Sequence, residues 1–235
     1  MPNSALHFNL ASVRARLPGR RIDWFTSLDS TMIEARRDPQ PGRIVGAEEQ
    51  TAGMGRHGRK WISEAGTGLY VSIVLAAKPV PVVMLALGLA TREAIGGGAD
   101  LRWPNDVLIH GKKCAGVLAH LEGDRIIAGI GINVSQTGFP DDLETPATSL
   151  RLEGVTVPRE DLLVALVEAV DRHSALPAGE ILRRFPNVSG RRVKAEANGR
   201  TIEGVACGLD AAGFLRVRED NGTETTILAG GVRPL

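Results

Sequence analysis

Between Leu101 and Val134 the chain alternates short apolar runs with tight turns. Leu101–Trp103 runs into Pro104, and Val107–Ile109, Ala115–Leu121 and Ile126–Val134 follow, separated by His110-Gly111 and Gly123-Asp124. Apolar runs this short, cut by glycine turns, do not make helices; they specify an antiparallel meander. Upstream, Ile22–Thr26, Arg43–Glu49 and the β-branched run Leu69–Ala76 supply further strands.

Helical patterns fall between and after them. Leu6, Leu10, Val13 and Leu17 share one helix face, ended by Pro18-Gly19. Thr31 and Glu34 have capping-box spacing and predict a helix to about Arg37, stopped by Pro39 and Pro41. The run from Pro81 to Ile95 predicts a buried helix closed by Gly96-Gly97-Gly98. Leu162, Leu163, Leu166, Val167 and Val170 predict another, opened by Pro158. The expectation for residues 1–186 is an α/β (α+β) catalytic domain, a mixed, largely antiparallel sheet packed with helices.

The texture changes after Pro186. Strand-like runs Arg192–Ala197, Thr201–Gly208, Phe214–Arg218 and Thr223–Leu228 are joined by Asn198-Gly199, Ala212-Gly213 and Asn221-Gly222. That pattern predicts a small closed β-barrel over residues 187–235.

Apolar residues make up 43% of the 235, enough for a core, and the net charge of +1 argues against a protein that coats nucleic acid. Any anion site must come from local clustering. Cys114 and Cys207 lie in apolar runs and are expected to be buried, reduced thiols. No long apolar stretch follows Met1, and the Val80–Ala90 window is too short to span a membrane. A soluble cytoplasmic protein is the expectation.

Four stretches carry chemistry. Gly53–Trp61 reads GMGRHGRKW, where glycines let backbone N–H groups approach an anion and arginines offer forked donors. Alone it reads equally well as a solvated turn; it is not a Walker loop, and no helix follows to complete a dinucleotide fingerprint. Arg102–Asp106, RWPND, is a corner between strands that turn chemistry alone explains. In Gly111–Leu118, GKKCAGVL, Lys113 enters an apolar strand and needs an anionic partner if it points inward. Gly129–Val134, GIGINV, puts glycine at alternate positions, which suits close approach of a backbone or a flat ligand.

In this order, after SLDST at residues 27–31, these motifs resemble the biotin protein ligase family over residues 22–186, and the C-terminal part resembles that family's SH3-like barrel. The resemblance implies a two-step reaction. ATP activates biotin as biotinyl-5′-AMP, with Mg²⁺ on the phosphates, and the biotinyl group then passes to a lysine of a biotin carboxyl carrier domain. It implies that Ser30 and Thr31 meet the ureido ring, with Met32 packing on it and Gln50 as the next wall. Gly53, Met54, Gly55 and Arg56 take the biotin side of the loop, where Gly55 and Arg56 hold carboxylate and phosphate. His57, Arg59 and Trp61 face the nucleotide, Asn105 and Asn133 lie on its ATP and Mg²⁺ side, and Asp106 caps the corner and orients its neighbours. Lys113 becomes the catalytic cation, acting with Arg56, and Gly116 lets the chain pass close to biotin.

The chain departs from the family pattern at Met54, where an arginine is usual, and at Met32, where an asparagine is usual. The resemblance further implies a monomer or homodimer. With about twenty residues before the first strand, no DNA-binding or repressor role is expected. The rival readings are a lipoate or octanoate ligase and a non-catalytic biotin or nucleotide sensor.

Overall fold

In the computed structural model, residues 8–96, 98–197, 200–228 and 232–234 are described. The strands are β1 (Ile22–Leu28), β2 (Ile44–Gln50), β3 (Gly68–Ala76), β4 (Asp100–Arg102), β5 (Asp106–Ile109), β6 (Lys112–Glu122) and β7 (Arg125–Asn133). They form one sheet in the order β1-β2-β3-β7-β6-β5-β4. β4 to β7 are the expected meander, each antiparallel to the next. Only β1 and β2 run parallel, because the helix α2 (Thr31–Arg37) lies between them as a crossover.

Side chains of β7 divide by the two-residue period of a strand. Ile126, Ala128, Ile130 and Ile132 join the main core with Leu69, Val71 and Ile73 of β3. The helices α3 (Val80–Ile95) and α4 (Arg159–Ala175) supply its other layer. On the opposite face α2 seats Met32 and Ala35 on Val45, Val74 and Ile127. A seven-residue α2 is too short to cover this face, and the uncovered part is where Gly129, Gly131 and Asn133 continue the alternation from Ile127. Glycine pairs in the strands thus leave a recess instead of a second core.

Two shorter helices complete this part. α1 (Leu10–Arg16) matches the N-terminal pattern, whose Leu6 lies outside the described residues. α5 (Ala178–Arg184) was not expected: it buries only Ile181, so it shows no apolar periodicity. The expected capping box from Thr31 to Glu34 does not form: the N-cap is Ser30, without a side-chain cap bond, and Thr31 spends its hydroxyl on Gln50 and Ser72.

The C-terminal strands are β8 (Arg192–Ala197), β9 (Arg200–Leu209), β10 (Leu215–Glu219), β11 (Glu224–Ile227) and β12 (Val232–Pro234). They form an antiparallel sheet in the order β11-β10-β9-β8-β12. The expected closed barrel is therefore wrong: among the described residues the sheet is open, with β11 and β12 at its edges. β12 has three residues and includes Pro234, whose nitrogen has no hydrogen to donate, so it makes a poor closing strand. Asn198-Gly199, one of the expected turns, lies outside the described residues.

Both cysteines are free, but only Cys114 is buried; Cys207 is half-buried, on a sheet with a solvent face. Among the described residues no helix is long and apolar enough to cross a membrane.

Candidate active site

The recess on the sheet is a cavity of about 250 Å³. Its floor is β6 and β7, where Gly116 and Gly131 are directly paired. A Cβ on Gly131 would stand 2.5 Å from the Trp61 indole, and one on Gly116 would stand 3.0 Å from the same ring. The indole therefore rests on bare backbone, a contact that any side chain at these positions would block. Further along, a Cβ on Gly129 would meet Met32 Sδ at 2.7 Å, so the long thioether fits because the facing residue is glycine.

The inner end of the cavity is polar. Gln50 Oε1 accepts from the Thr31 N–H at 2.8 Å and from its hydroxyl at 3.1 Å, while Gln50 Nε2 donates to Ser63 Oγ at 2.9 Å. Both ends of the Gln50 amide are thus engaged. Ser30 differs: its buried hydroxyl has no partner among the described residues. An orphaned buried hydroxyl costs about 1–3 kcal/mol, which a polar ligand would recover.

The other end is cationic. Lys113 Nζ lies 2.5 Å from Asp106 Oδ1 and 5.4 Å from the centroid of the Trp61 ring. Asp106 is also bound by Arg102, whose Nε donates at 3.2 Å. Burial pushes the Asp106 carboxyl up, but Lys113 and Arg102 outweigh it and hold the group below its ordinary value. The anionic partner that an inward Lys113 requires is therefore the last residue of the RWPND corner, bridging two cations instead of only capping a turn.

Arg56 comes from the loop, and its Nη1 donates to Asn105 Oδ1 at 3.4 Å. Burial lowers the Arg56 guanidinium from its ordinary value, with Asp106 opposing that shift and Arg59 adding to it. Asn105 also donates through Nδ2 to the Val117 carbonyl at 3.1 Å.

The loop itself is shaped by main-chain bonds. Gly55 N–H donates to Arg59 O at 2.7 Å, and Trp61 N–H donates to Gly53 O at 2.9 Å. His57 has φ +57°, and burial together with Arg56 and Arg59 lowers its imidazole. Met54, Gly55, Arg56, His57, Arg59 and Trp61 all border the cavity; Gly53 serves as a backbone anchor behind it. Asn133 borders it too, but is 5% exposed and donates through Nδ2 to Thr148 O at 2.9 Å.

Profiles of known families match both parts of the chain. The Biotin/lipoate A/B protein ligase family matches residues 20–136, and the biotin protein ligase C terminal domain matches residues 188–232. A biotin–[acetyl-CoA-carboxylase] ligase of Mycobacterium tuberculosis is 32% identical over 211 residues, covering 81% of this chain and 77% of the relative. The chain belongs to the biotin protein ligase family. The bifunctional ligase/repressor BirA of Bacillus subtilis is 31% identical over 224 residues, 85% of this chain and 69% of that protein. Among solved structures, biotin protein ligase from Aquifex aeolicus in complex with biotin and ATP superposes with a TM-score of 0.79. It is 29% identical, covering 92% of this chain and all but 1% of the other.

Sequence reasoning missed one wall of this ligase's cavity. Phe139, Leu143, Glu144, Thr145 and Ala147 line it, from a stretch with no periodic pattern. That stretch is pinned to the site: Lys113 N–H donates to Pro146 O at 2.8 Å, and Thr148 N–H donates to Lys113 O at 2.9 Å. Arg59 reaches across to Glu144 at 2.5 Å, so the two loops meet over the opening. The signal that could have found Asp106 was the demand of Lys113 for a counter-charge, read together with the hairpin that brings β5 beside β6.

Proposed function

We propose that this ligase activates biotin with ATP as biotinyl-5′-AMP and passes the biotinyl group to a lysine of a biotin carboxyl carrier domain, with the work divided among the residues above. The observation that carries the reading is the polarity of one cavity. An orphaned hydroxyl, Ser30, stands at the inner end, and Lys113 and Arg56 stand at the other, over a floor of glycine. The ureido ring takes the Ser30 end beside Thr31, Gln50 and Met32. The carboxylate takes the cationic end.

In the first step a carboxylate oxygen of biotin attacks the α-phosphorus, and the bond from that phosphorus to the bridging oxygen breaks. Pyrophosphate leaves with the electron pair. The obstacle is the approach of two anions, and Lys113 and Arg56 offset it where charge builds up. Trp61 and His57 form the nucleotide wall with Arg59, Asn105 and Asn133. In the second step the neutral amine of the carrier lysine attacks the acyl carbon, AMP leaves, and the amine proton passes to solvent.

Among the described residues no group of three His, Cys, Asp or Glu side chains is placed to hold a metal ion. Asp106 is committed to Lys113 and Arg102. Mg²⁺ would therefore arrive with the ATP phosphates on the Asn105 and Asn133 side, where it would screen their charge. The reading divides the chain into a catalytic domain, 1–186, and a C-terminal domain, 187–235. It places the enzyme in the cytoplasm, where two free cysteines persist.

The test is incubation with ATP, Mg²⁺ and either biotin or octanoate, followed by addition of a carrier domain. Biotinyl-AMP and then a biotinylated carrier are expected, without octanoyl-AMP. Absence of biotinyl-AMP, or preferential octanoyl-AMP, overturns the reading.

A further inference from the structure

Trp103 opens the corner that carries Asn105 and Asp106, and it is 5% exposed. Its indole Nε1 donates to the Gly213 carbonyl at 3.0 Å, a buried bond spanning 110 positions of chain. Gly213 lies in the turn between β9 and β10. Asp210 organises that turn: its carboxylate accepts from the N–H groups of Ala212 and Phe214 at 2.9 Å each. Its own N–H donates to Phe214 O at 2.8 Å, and its carbonyl accepts from Gly213 N–H at 3.0 Å.

Gly213 has φ +89°, and a Cβ there would meet Leu85 Cδ1 at 3.2 Å beside Pro81. Left-handed backbone and lack of space both favour glycine. The turn is wedged between the start of α3 and the Trp103 ring. A small cavity of about 120 Å³ beside it is bordered by Arg56, Trp103, Pro104, Phe214 and Leu228.

The corner is therefore held from two sides. On the sheet side Asn105 binds Val117 O, and Val117 N–H donates to Asn105 O at 3.0 Å. On the far side the only grip among the hydrogen bonds described is the Trp103–Gly213 bond. We propose that the Asp210–Phe214 turn is a positioning element of the active site. Through Trp103 it sets the corner that holds Asp106 against Lys113 and Asn105 beside Arg56. The C-terminal sheet thereby acts on the first chemical step without its turn touching a reacting atom. This inference rests on the ligase reading above.

Trp103→Phe removes the N–H and keeps a ring; Gly213→Ala disturbs the same contact from the other partner. Both are made in the full chain, with Ile227→Val, a buried C-terminal core position, as the purely structural comparison. Adenylation is measured as kcat per active site, counted by the burst of biotinyl-AMP, with KM for biotin and ATP and the melting temperature alongside. The expected result is a fall in kcat per active site of about tenfold for Trp103→Phe, since sub-ångström misplacement of a charged group has effects of this order. The double variant should be no worse than the more severe single one, because both cut one link. Ile227→Val should lower the melting temperature and leave kcat per active site at the wild-type value. A Trp103→Phe enzyme within about twofold of wild type, or an Ile227→Val enzyme that loses kcat in step with its melting temperature, overturns the proposal; Trp103→Phe decides it even if Gly213→Ala fails to fold. Absence of biotinyl-AMP from the wild type overturns the ligase reading and the link with it.

Discussion

Lys113 stands on a strand and meets a carboxylate, whereas Arg56 stands in a loop and meets an amide oxygen. The first belongs to a floor whose geometry is complete without ligand: Asp106 fixes the ammonium, and β5, β6 and β7 fix Asp106 in turn. The second belongs to a roof of mostly exposed residues, tied down by turn bonds and by the surface ion pair Arg59–Glu144. A floor of this kind contributes preorganised charge to the transition state. A roof of this kind contributes mainly affinity, since ligand contacts must offset the cost of ordering it; Arg56 is its one member that also meets the charge of the first step. Changes to the floor should strike the rate, and changes to the roof other than at Arg56 should strike binding.

Lys113→Ala carries the largest expected effect. Formation of biotinyl-AMP should fall by about a hundredfold to a thousandfold, the scale of removing a central charge stabiliser. The melting temperature should fall only in part, because Asp106 loses one cation but keeps Arg102. Mass-spectrometric detection of the adenylate measures it. If activity stays within tenfold of wild type while KM rises, Lys113 belongs with the roof and the contrast collapses.

Asp106→Asn comes next, because it leaves Lys113 in place but removes what aims it. A fall in kcat of about tenfold or more is expected. The variant also exposes a pH effect. Asp106 has its folded pKa held below the ordinary 3.8. Its contribution to stability is therefore complete above that value and is lost as pH falls through the lower folded one. The gap in melting temperature between wild type and variant should be constant above about pH 5 and narrow below about pH 4. A gap that instead widens on acidification would mean that the pair with Lys113 is not what holds Asp106.

The floor was also the more legible half. Strands β4 to β7 could be read from turn dipeptides, because a two-residue turn leaves few options for the runs it joins. The alternate glycines of GIGINV signalled a flat surface, and Lys113 signalled a missing anion. Asp106 could be read as a cap that orients its neighbours, but its pairing with Lys113 could not, since a carboxylate in a Pro-Asn-Asp corner looks like turn chemistry until the hairpin sets it beside a lysine. The wall at Phe139–Ala147 escaped because loop residues carry no period; contacts to Lys113, Arg59 and Arg102, far away in sequence, define their place. Closure of the C-terminal sheet could not be read either, because four strand-like runs fit an open sheet and a barrel equally well.

Gly131→Ala tests the join between floor and roof. A Cβ there overlaps the Trp61 indole at 2.5 Å, so the ring must lift while β7 stays put. KM for ATP and biotin should rise by about tenfold, as overpacking of this kind commonly costs 1–3 kcal/mol, and kcat at saturation should change far less. Steady-state kinetics with both substrates varied separates the two. A loss confined to kcat would place Trp61 with the catalytic floor.

Met54→Arg should give the smallest effect and is the sharpest probe of the roof. It restores the cation usual in the family at a position 43% exposed, across the loop from Lys60 and close in sequence to Arg56 and Arg59. A charge that exposed acts through screened water, so its gain is on the order of 0.2–1 kcal/mol. Dissociation of biotinyl-AMP should slow by about twofold to fivefold at low ionic strength. The difference should vanish in about 1 M salt, where the screening length falls to about 3 Å. The turnover number for adenylation should not rise, because the new charge adds to the hold on ligand and not to the charges fixed on the sheet. Stopped-flow measurement of adenylate release at two salt concentrations decides the matter. An unchanged release rate at low salt would show that the roof acts through Arg56 and its shape rather than its number of cations, and a higher turnover would show that floor and roof share the chemistry.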